Sequence, residues 1–138
     1  MAVLGIDFGV KRIGVAFSDP SGTVAFPGLV ITGGDEERIA RITEEATSRG
    51  AELIVVGLPC HMNGSESEMG NQAAEFAETL RGATGVAVVT WDERLTSVQA
   101  ERAMLAGDLS RRKRKKRIDS LAAQLMLQNY LDAHRPPG

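Results

Sequence analysis

The chain has 138 residues, 43% of them hydrophobic and 25% charged, which suits one soluble globular unit with a single core. Residues 1–138 are therefore expected to form one domain, too short for two lobes that close over a substrate. No apolar run approaches the ~20 residues needed to cross a bilayer. Asp7 interrupts the first apolar stretch, with no basic segment before it, so a secretory signal and a membrane partner are not expected. The single cysteine, Cys60, rules out an internal disulfide, and the expected location is the cytoplasm.

The net charge of −2 conceals an asymmetry: residues 111–117 are seven consecutive cations, and the remainder carries a net charge of −9. A pI near 5.7 does not suggest nucleic acid, but a local basic block does.

In chain order, residues 3–8 form a short apolar run that ends in Asp-Phe-Gly and reads as a buried strand. Residues 13–18 read as a second strand after a tight turn, and Asp19-Pro20-Ser21-Gly22 as another turn. Residues 23–32 read as a third strand, with Pro27 marking an edge or a bulge. These three form an antiparallel meander. Asp35 is placed to cap a helix to about residue 49, with Gly50 as the stop.

Residues 53–58 are continuously apolar, as in a strand buried on both faces. Ser65-Glu66-Ser67-Glu68 is a capping-box pattern for a helix closed by Gly82. A β-branched strand at 86–91 leads into Asp92-Glu93-Arg94, and Thr96 with Gln99 caps a helix that ends near Gly107. A last helix covers about 118–133, followed by a frayed tail from His134. Strands alternating with helices in this second half predict parallel pairing.

Three acidic positions stand out. Asp7 ends an otherwise apolar strand, where a carboxylate needs a partner, a proton or a metal; capping the turn through Gly9 is the competing role. Asp92 and Glu93 follow a strand whose carboxyl end is where functional groups collect in open α/β sheets, although two solvated loop acids would look the same. Asp119 enters the last helix beside Ala122 and Ala123, small residues that permit close approach to a sheet; an acid favoured by the helix dipole is the alternative. Converging carboxylates of this kind suit Mg²⁺ or Mn²⁺, and a pair of such ions supports phosphodiester cleavage. One Cys and two His make no convincing zinc site, and neither a Walker-A loop nor a Gly-x-Gly-x-x-Gly fingerprint is present.

Four ordered blocks then carry a resemblance. They are Gly5-Ile6-Asp7-Phe8-Gly9-Val10-Lys11-Arg12-Ile13-Gly14, Val56-Gly57-Leu58-Pro59 with Met62-Asn63-Gly64, Asp92-Glu93-Arg94-Leu95-Thr96-Ser97, and Ile118-Asp119-Ser120-Leu121-Ala122-Ala123. Together they span nearly the whole chain, which closely resembles the YqgF/RuvX family of bacterial ribonuclease-H-like nucleases. The resemblance implies an α/β fold whose mixed five-stranded sheet has three antiparallel strands, then parallel ones, flanked by helices.

It further implies a Mg²⁺- or Mn²⁺-dependent nuclease with Asp7, Glu93 and Asp119 as the catalytic set, Asp92 being the alternative to Glu93 as a metal ligand. The family is associated with maturing the 5′ end of precursor 16S ribosomal RNA and was first proposed to resolve Holliday junctions. The implied partners are structured RNA or branched DNA, with ribosomal precursor particles, and the chain would act as a monomer or homodimer.

Arg111, Arg112, Lys113, Arg114, Lys115, Lys116 and Arg117 are candidate phosphate contacts, as are Lys11, Arg12, Asn63 and Arg94; such contacts confer affinity rather than sequence specificity. Two other function classes are weighed. The pattern Asp7-x-Gly9 with Gly14 also resembles the phosphate loop of actin-like ATPases and sugar kinases, whose chemistry needs a second lobe. A non-catalytic RNA-binding assembly factor would use the basic run but gain nothing from the carboxylates.

Overall fold

The computed structural model describes residues 1–9, 11–58, 68–92 and 111–134, and for residues 58, 68–70, 92 and 111–120 the backbone alone. Five strands form one sheet: β1 (Val3–Asp7), β2 (Arg12–Ser18), β3 (Ala25–Thr32), β4 (Leu53–Leu58) and β5 (Ala87–Asp92). Among the described residues the helices are α1 (Asp35–Arg49), α2 (Glu68–Thr84) and α3 (Arg111–Ala133). The sheet order is β3-β2-β1-β4-β5, antiparallel across the first three strands in the chain and parallel from β1 through β4 to β5. The expected meander and parallel half are both present. Pro27 lies on the edge strand β3, where the missing N–H costs no ladder bond on the open side, and the pairing register shifts between Gly14 and Ala16.

Strand pleating divides the core. Leu4, Ile6, Ile13, Val15, Ile54 and Val56 point to one face and pack under α1 and α2 against Ile42, Ala46, Phe76 and Leu80. Val3, Ala16, Leu53 and Val55 point to the other face and meet Ala123, Met126, Leu127 and Leu131 of α3. Burial on both faces explains why β1 and β4 read as unbroken apolar runs. Two glutamines of α3 tie the start of the edge strand: Gln128 Oε1 accepts the Ala25 N–H at 2.8 Å, and Gln124 Nε2 donates to the Ala25 carbonyl at 3.1 Å.

Several boundaries differ from the sequence reading. Gly34, not Asp35, is the N-cap of α1; Asp35, Glu36 and Glu37 fill the first turn, where they complement the helix dipole. Gly50 ends α1 in the left-handed conformation (φ 63°), as expected. α2 continues through Gly82 to Thr84, and the stop is Gly85 (φ 69°), whose N–H returns to the Arg81 carbonyl. β3 begins at Ala25 and β5 spans Ala87–Asp92, small shifts from 23 and 86–91. The proposed cap at 65–67 and the helix at 96–107 lie outside the described residues.

The largest difference concerns α3, which starts at Arg111 rather than near 118 and takes in the whole basic run. Arg and Lys are good helix formers, so seven of them extend a helix whose stability comes from packing further along. His134 is not frayed: its ring stacks on Tyr130 at 4.0 Å between centroids.

Candidate metal and nucleic-acid site

Asp7 is the last residue of β1, and its neighbours across the ladder are both glycines, Gly14 on β2 and Gly57 on β4. Asp7 is partly exposed and closes β1 at the carboxyl edge of the parallel strands. Pleating places Asp7 with Val3 and Gly5 on the α3 face. In register with Asp7 and Gly57, Trp91 of β5 continues the same row and packs edge-on against Tyr130 at 5.4 Å. Trp91 and the buried Phe76 are thus packing residues.

The direction of α3 brings a second predicted residue toward this edge. Leu131 and His134 line a cleft with Val3 and Leu53, the first residues of β1 and β4. Four residues earlier, Leu127 lies against Gly5, so closely that a Cβ on Gly5 would be 2.9 Å from the Leu127 Cβ. The helix therefore runs against β1, and its N-terminal half, with position 119, extends toward the end of β1 that carries Asp7. Asp119 is the ninth residue of α3, beyond the first turn to which a dipole effect is confined. Its dipole explanation is thereby removed. No acidic residue occupies the first turn of α3, while the basic run does.

Asp92 closes β5 at the same sheet edge, opposite Leu58. Lys11 is exposed at the β1–β2 turn beside Gly9, and Arg12 opens β2 opposite Thr32. Glu93, Arg94 and Asn63 lie outside the described residues. Of the predicted metal ligands only Asp7 has a described side chain, and among the described residues no three acidic, His or Cys side chains gather. The donor set of carboxylate oxygens fits a hard divalent cation.

Sequence reasoning missed Arg38. This α1 residue is only 3% exposed, and its Nη1 donates to the Gly9 carbonyl at 2.7 Å. Its guanidinium lies over the rings of Phe8 (5.4 Å) and Phe76 (5.5 Å) and pairs with Asp35. The available signal was an arginine one residue before Ile39 on the buried side of α1, which reads as a surface charge unless the turn behind Asp7 is in view.

Among the described residues no helix is long and apolar enough to cross a membrane. The topology, with a meander leading into parallel strands and helices on both faces, is that of the ribonuclease-H-like α/β class. Thermus thermophilus RuvC in complex with a Holliday junction substrate superposes with a TM-score of 0.58 at 19% identity, covering 97% of this chain and 96% of that one. A second Thermus thermophilus RuvC structure gives 0.54, also at 19%. The sequence profile of the RuvX family, described as Holliday junction resolvase, matches residues 1–133. The chain belongs to that family. A relative from Caldanaerobacter subterraneus subsp. tengcongensis, named "Putative pre-16S rRNA nuclease", is 47% identical over 98% of this chain and 99% of its own length. One of the same name from Pelotomaculum thermopropionicum is 42% identical over 99% of this chain and 90% of its own.

Proposed function

We propose that this protein is a divalent-metal-dependent nuclease that hydrolyses phosphodiester bonds in a precursor of 16S ribosomal RNA. The observation that carries the reading is the approach of α3 to β1 through Gly5 and Leu127, which sends Asp119 and the basic run toward the glycine-flanked Asp7. Asp7, Glu93 and Asp119 would hold Mg²⁺ or Mn²⁺, which supplies charge stabilisation for the attacking and leaving oxygens. Asp92 is the alternative to Glu93 as the third ligand.

The basic residues at 111–117, with Lys11, Arg12, Asn63 and Arg94, would hold backbone phosphates. The cations in the first turn of that helix oppose its dipole, and an anionic backbone relieves that repulsion. Residues 1–138, of which 1–133 match the family profile, would act as one domain, in the cytoplasm, where a lone cysteine is at home. The names of the relatives support the RNA substrate, and the family description supports the alternative of a four-way DNA junction, for which two active sites and hence a homodimer would be needed.

The test is cleavage of a precursor 16S 5′ fragment and a four-way DNA junction by wild type and Asp119→Asn, with Mg²⁺, Mn²⁺ or chelator. Metal-dependent cutting of the RNA, lost in the variant, is the expected result. Preferential cutting of the junction would replace the substrate, and equal activity in the variant would remove Asp119 from the site.

A further inference from the structure

We propose that the corner of the sheet where β2 pairs with β3 is a second substrate-binding site, one that stacks an unpaired base of the RNA on Phe26. It rests on the reading of the substrate as RNA.

Phe17 and Phe26 are register partners on β2 and β3, so both rings share the face that α1 and α2 cover elsewhere. The rings stack on each other, 5.7 Å apart with their planes at 27°. α1 reaches this corner with its last residue, and the Arg49 guanidinium lies 3.7 Å from the centre of the Phe17 ring. One guanidinium and two rings thus make a flat-sided cluster, yet Phe26 stays 43% exposed. Met1, itself exposed, lines the same cleft of about 680 Å³, and the exposed Val24 lies two residues before Phe26. A single exposed apolar side chain needs no explanation, whereas several at one corner mark a binding surface.

The chemistry of the cleft selects the occupant. Its charged side chains are Arg49, Asp19 and Glu52. Asp19 is committed to its own turn, where it accepts from the Ser21 hydroxyl and the Thr23 and Val24 N–H groups. Arg49 pairs with Glu45 at 3.0 Å. Glu52 is exposed and has no ion pair among the described residues. Two acids repel a phosphate, but they do not repel the face of a base, and bases stack on aromatic rings and on guanidinium planes. A free carboxylate also accepts from the exocyclic amino group of cytosine, adenine or guanine, which uracil lacks. In a duplex the base faces are covered by their neighbours, so the occupant is a single-stranded nucleotide.

The corner is remote from the proposed metal site. Phe17 lies opposite Leu4, three residues before Asp7 on β1, and Phe26 is one strand further out. That is about 10 Å along the strand and two strands across. α3 and its basic run pack on the other face. The two surfaces therefore hold different parts of a substrate: the basic run takes phosphates, and Phe26 takes a base of a single-stranded extension.

The experiment measures binding, in chelator, of a precursor RNA fragment that keeps its single-stranded 5′ leader and of the same fragment trimmed to its duplex. Cytidine and uridine oligomers are the base-specific probes. The proteins are wild type, Phe26→Ala, Phe26→Leu, Phe26→Trp and Glu52→Gln, with cleavage by each followed in Mn²⁺. Phe26→Leu keeps an apolar contact to Phe17 without a flat face, and Phe26→Trp restores one. Phe26→Ala and Phe26→Leu should bind the leader RNA about tenfold more weakly at every salt concentration, because stacking releases no counterions. Both should bind and cut the trimmed duplex as wild type does. Phe26→Trp should bind the leader RNA as wild type does, and Glu52→Gln should lose a preference for cytidine over uridine. Wild-type leader affinity in Phe26→Leu would overturn the proposal, as would an equal loss on the trimmed duplex. A wild-type dimer that Phe26→Leu abolishes, with RNA binding unchanged, would assign the corner to a second copy instead. Weaker leader binding by the Phe26 variants, with no RNA cut by wild type, would support the base site and remove the nuclease reading.

Discussion

Gly5 and Leu127 set the distance between the central strand and the last helix: the Leu127 Cβ would be 2.9 Å, and its Cγ and Cδ2 3.3 Å, from any Cβ at position 5. Such a contact forces either α3 or β1 to move. Gly5→Ala is expected to lower stability by about 1–3 kcal/mol, the usual cost of overpacking a core. It should also reduce cleavage beyond the loss of folded protein, since it displaces the helix that carries Asp119. Urea denaturation and cleavage assays at matched folded fraction check both parts; wild-type activity per folded molecule would show that the spacing does not matter for the site.

Mutation separates the two adjacent acids. With Glu93 as the proposed third ligand, Glu93→Gln should reduce cleavage by about 100-fold or more, whereas Asp92→Asn should retain most of it. The reverse ranking in a single-turnover assay would reassign the third ligand to Asp92.

The basic run makes a prediction about salt. Replacing Arg112, Arg114, Lys115 and Arg117 with Gln removes four positive charges from the first two turns of α3 and keeps good helix formers there. Each lost phosphate contact should flatten the dependence of log affinity on log salt by about 0.7–0.9. A binding titration between low and moderate salt with an unchanged slope would place the run away from the nucleic acid.

Asp19 offers a pH test remote from the site. The Ser21 hydroxyl, then the Val24 and Thr23 N–H groups, hold its carboxyl far below the ordinary carboxylate range. A depressed folded-state value means that the charged form stabilises the fold above the unfolded-state pKa, and that this contribution fades as pH falls toward the folded-state value. Asp19→Asn should therefore melt below wild type at neutral pH, with the gap narrowing below about pH 4. Melting temperatures of both proteins from pH 7 to 2 test this, and a constant gap would show that the charge is not what the loop uses.

Mn²⁺ should raise the melting temperature of wild type but not of Asp7→Asn. An ion at 100 times its dissociation constant contributes about 2.7 kcal/mol to the folded state. Calorimetric scans with and without metal read the difference directly.

Local pattern was enough for much of this protein. The apolar runs of β1 and β4, the edge position implied by Pro27, the left-handed stop at Gly50 and the order of meander and parallel strands all follow from periodicity and turn chemistry, which act within a few residues. The same holds for Asp7, whose isolation at the end of an apolar strand was visible from its neighbours. Other features depended on partners distant in the chain. The start of α3 at Arg111 was hidden because a charge block has no apolar period, and its helix is stabilised by packing that begins at Ala122. That start in turn decided that Asp119 lies beyond the reach of the helix dipole. Arg38 looked like any surface arginine until folding brought Gly9, Phe8 and Phe76 around it, across 29 residues of sequence in the first case. Residue type and spacing determined the strands, the turns and the acids at their ends. Tertiary packing alone decided how closely α3 approaches β1 and what holds the turn behind Asp7, because both depend on contacts between segments that share no local pattern.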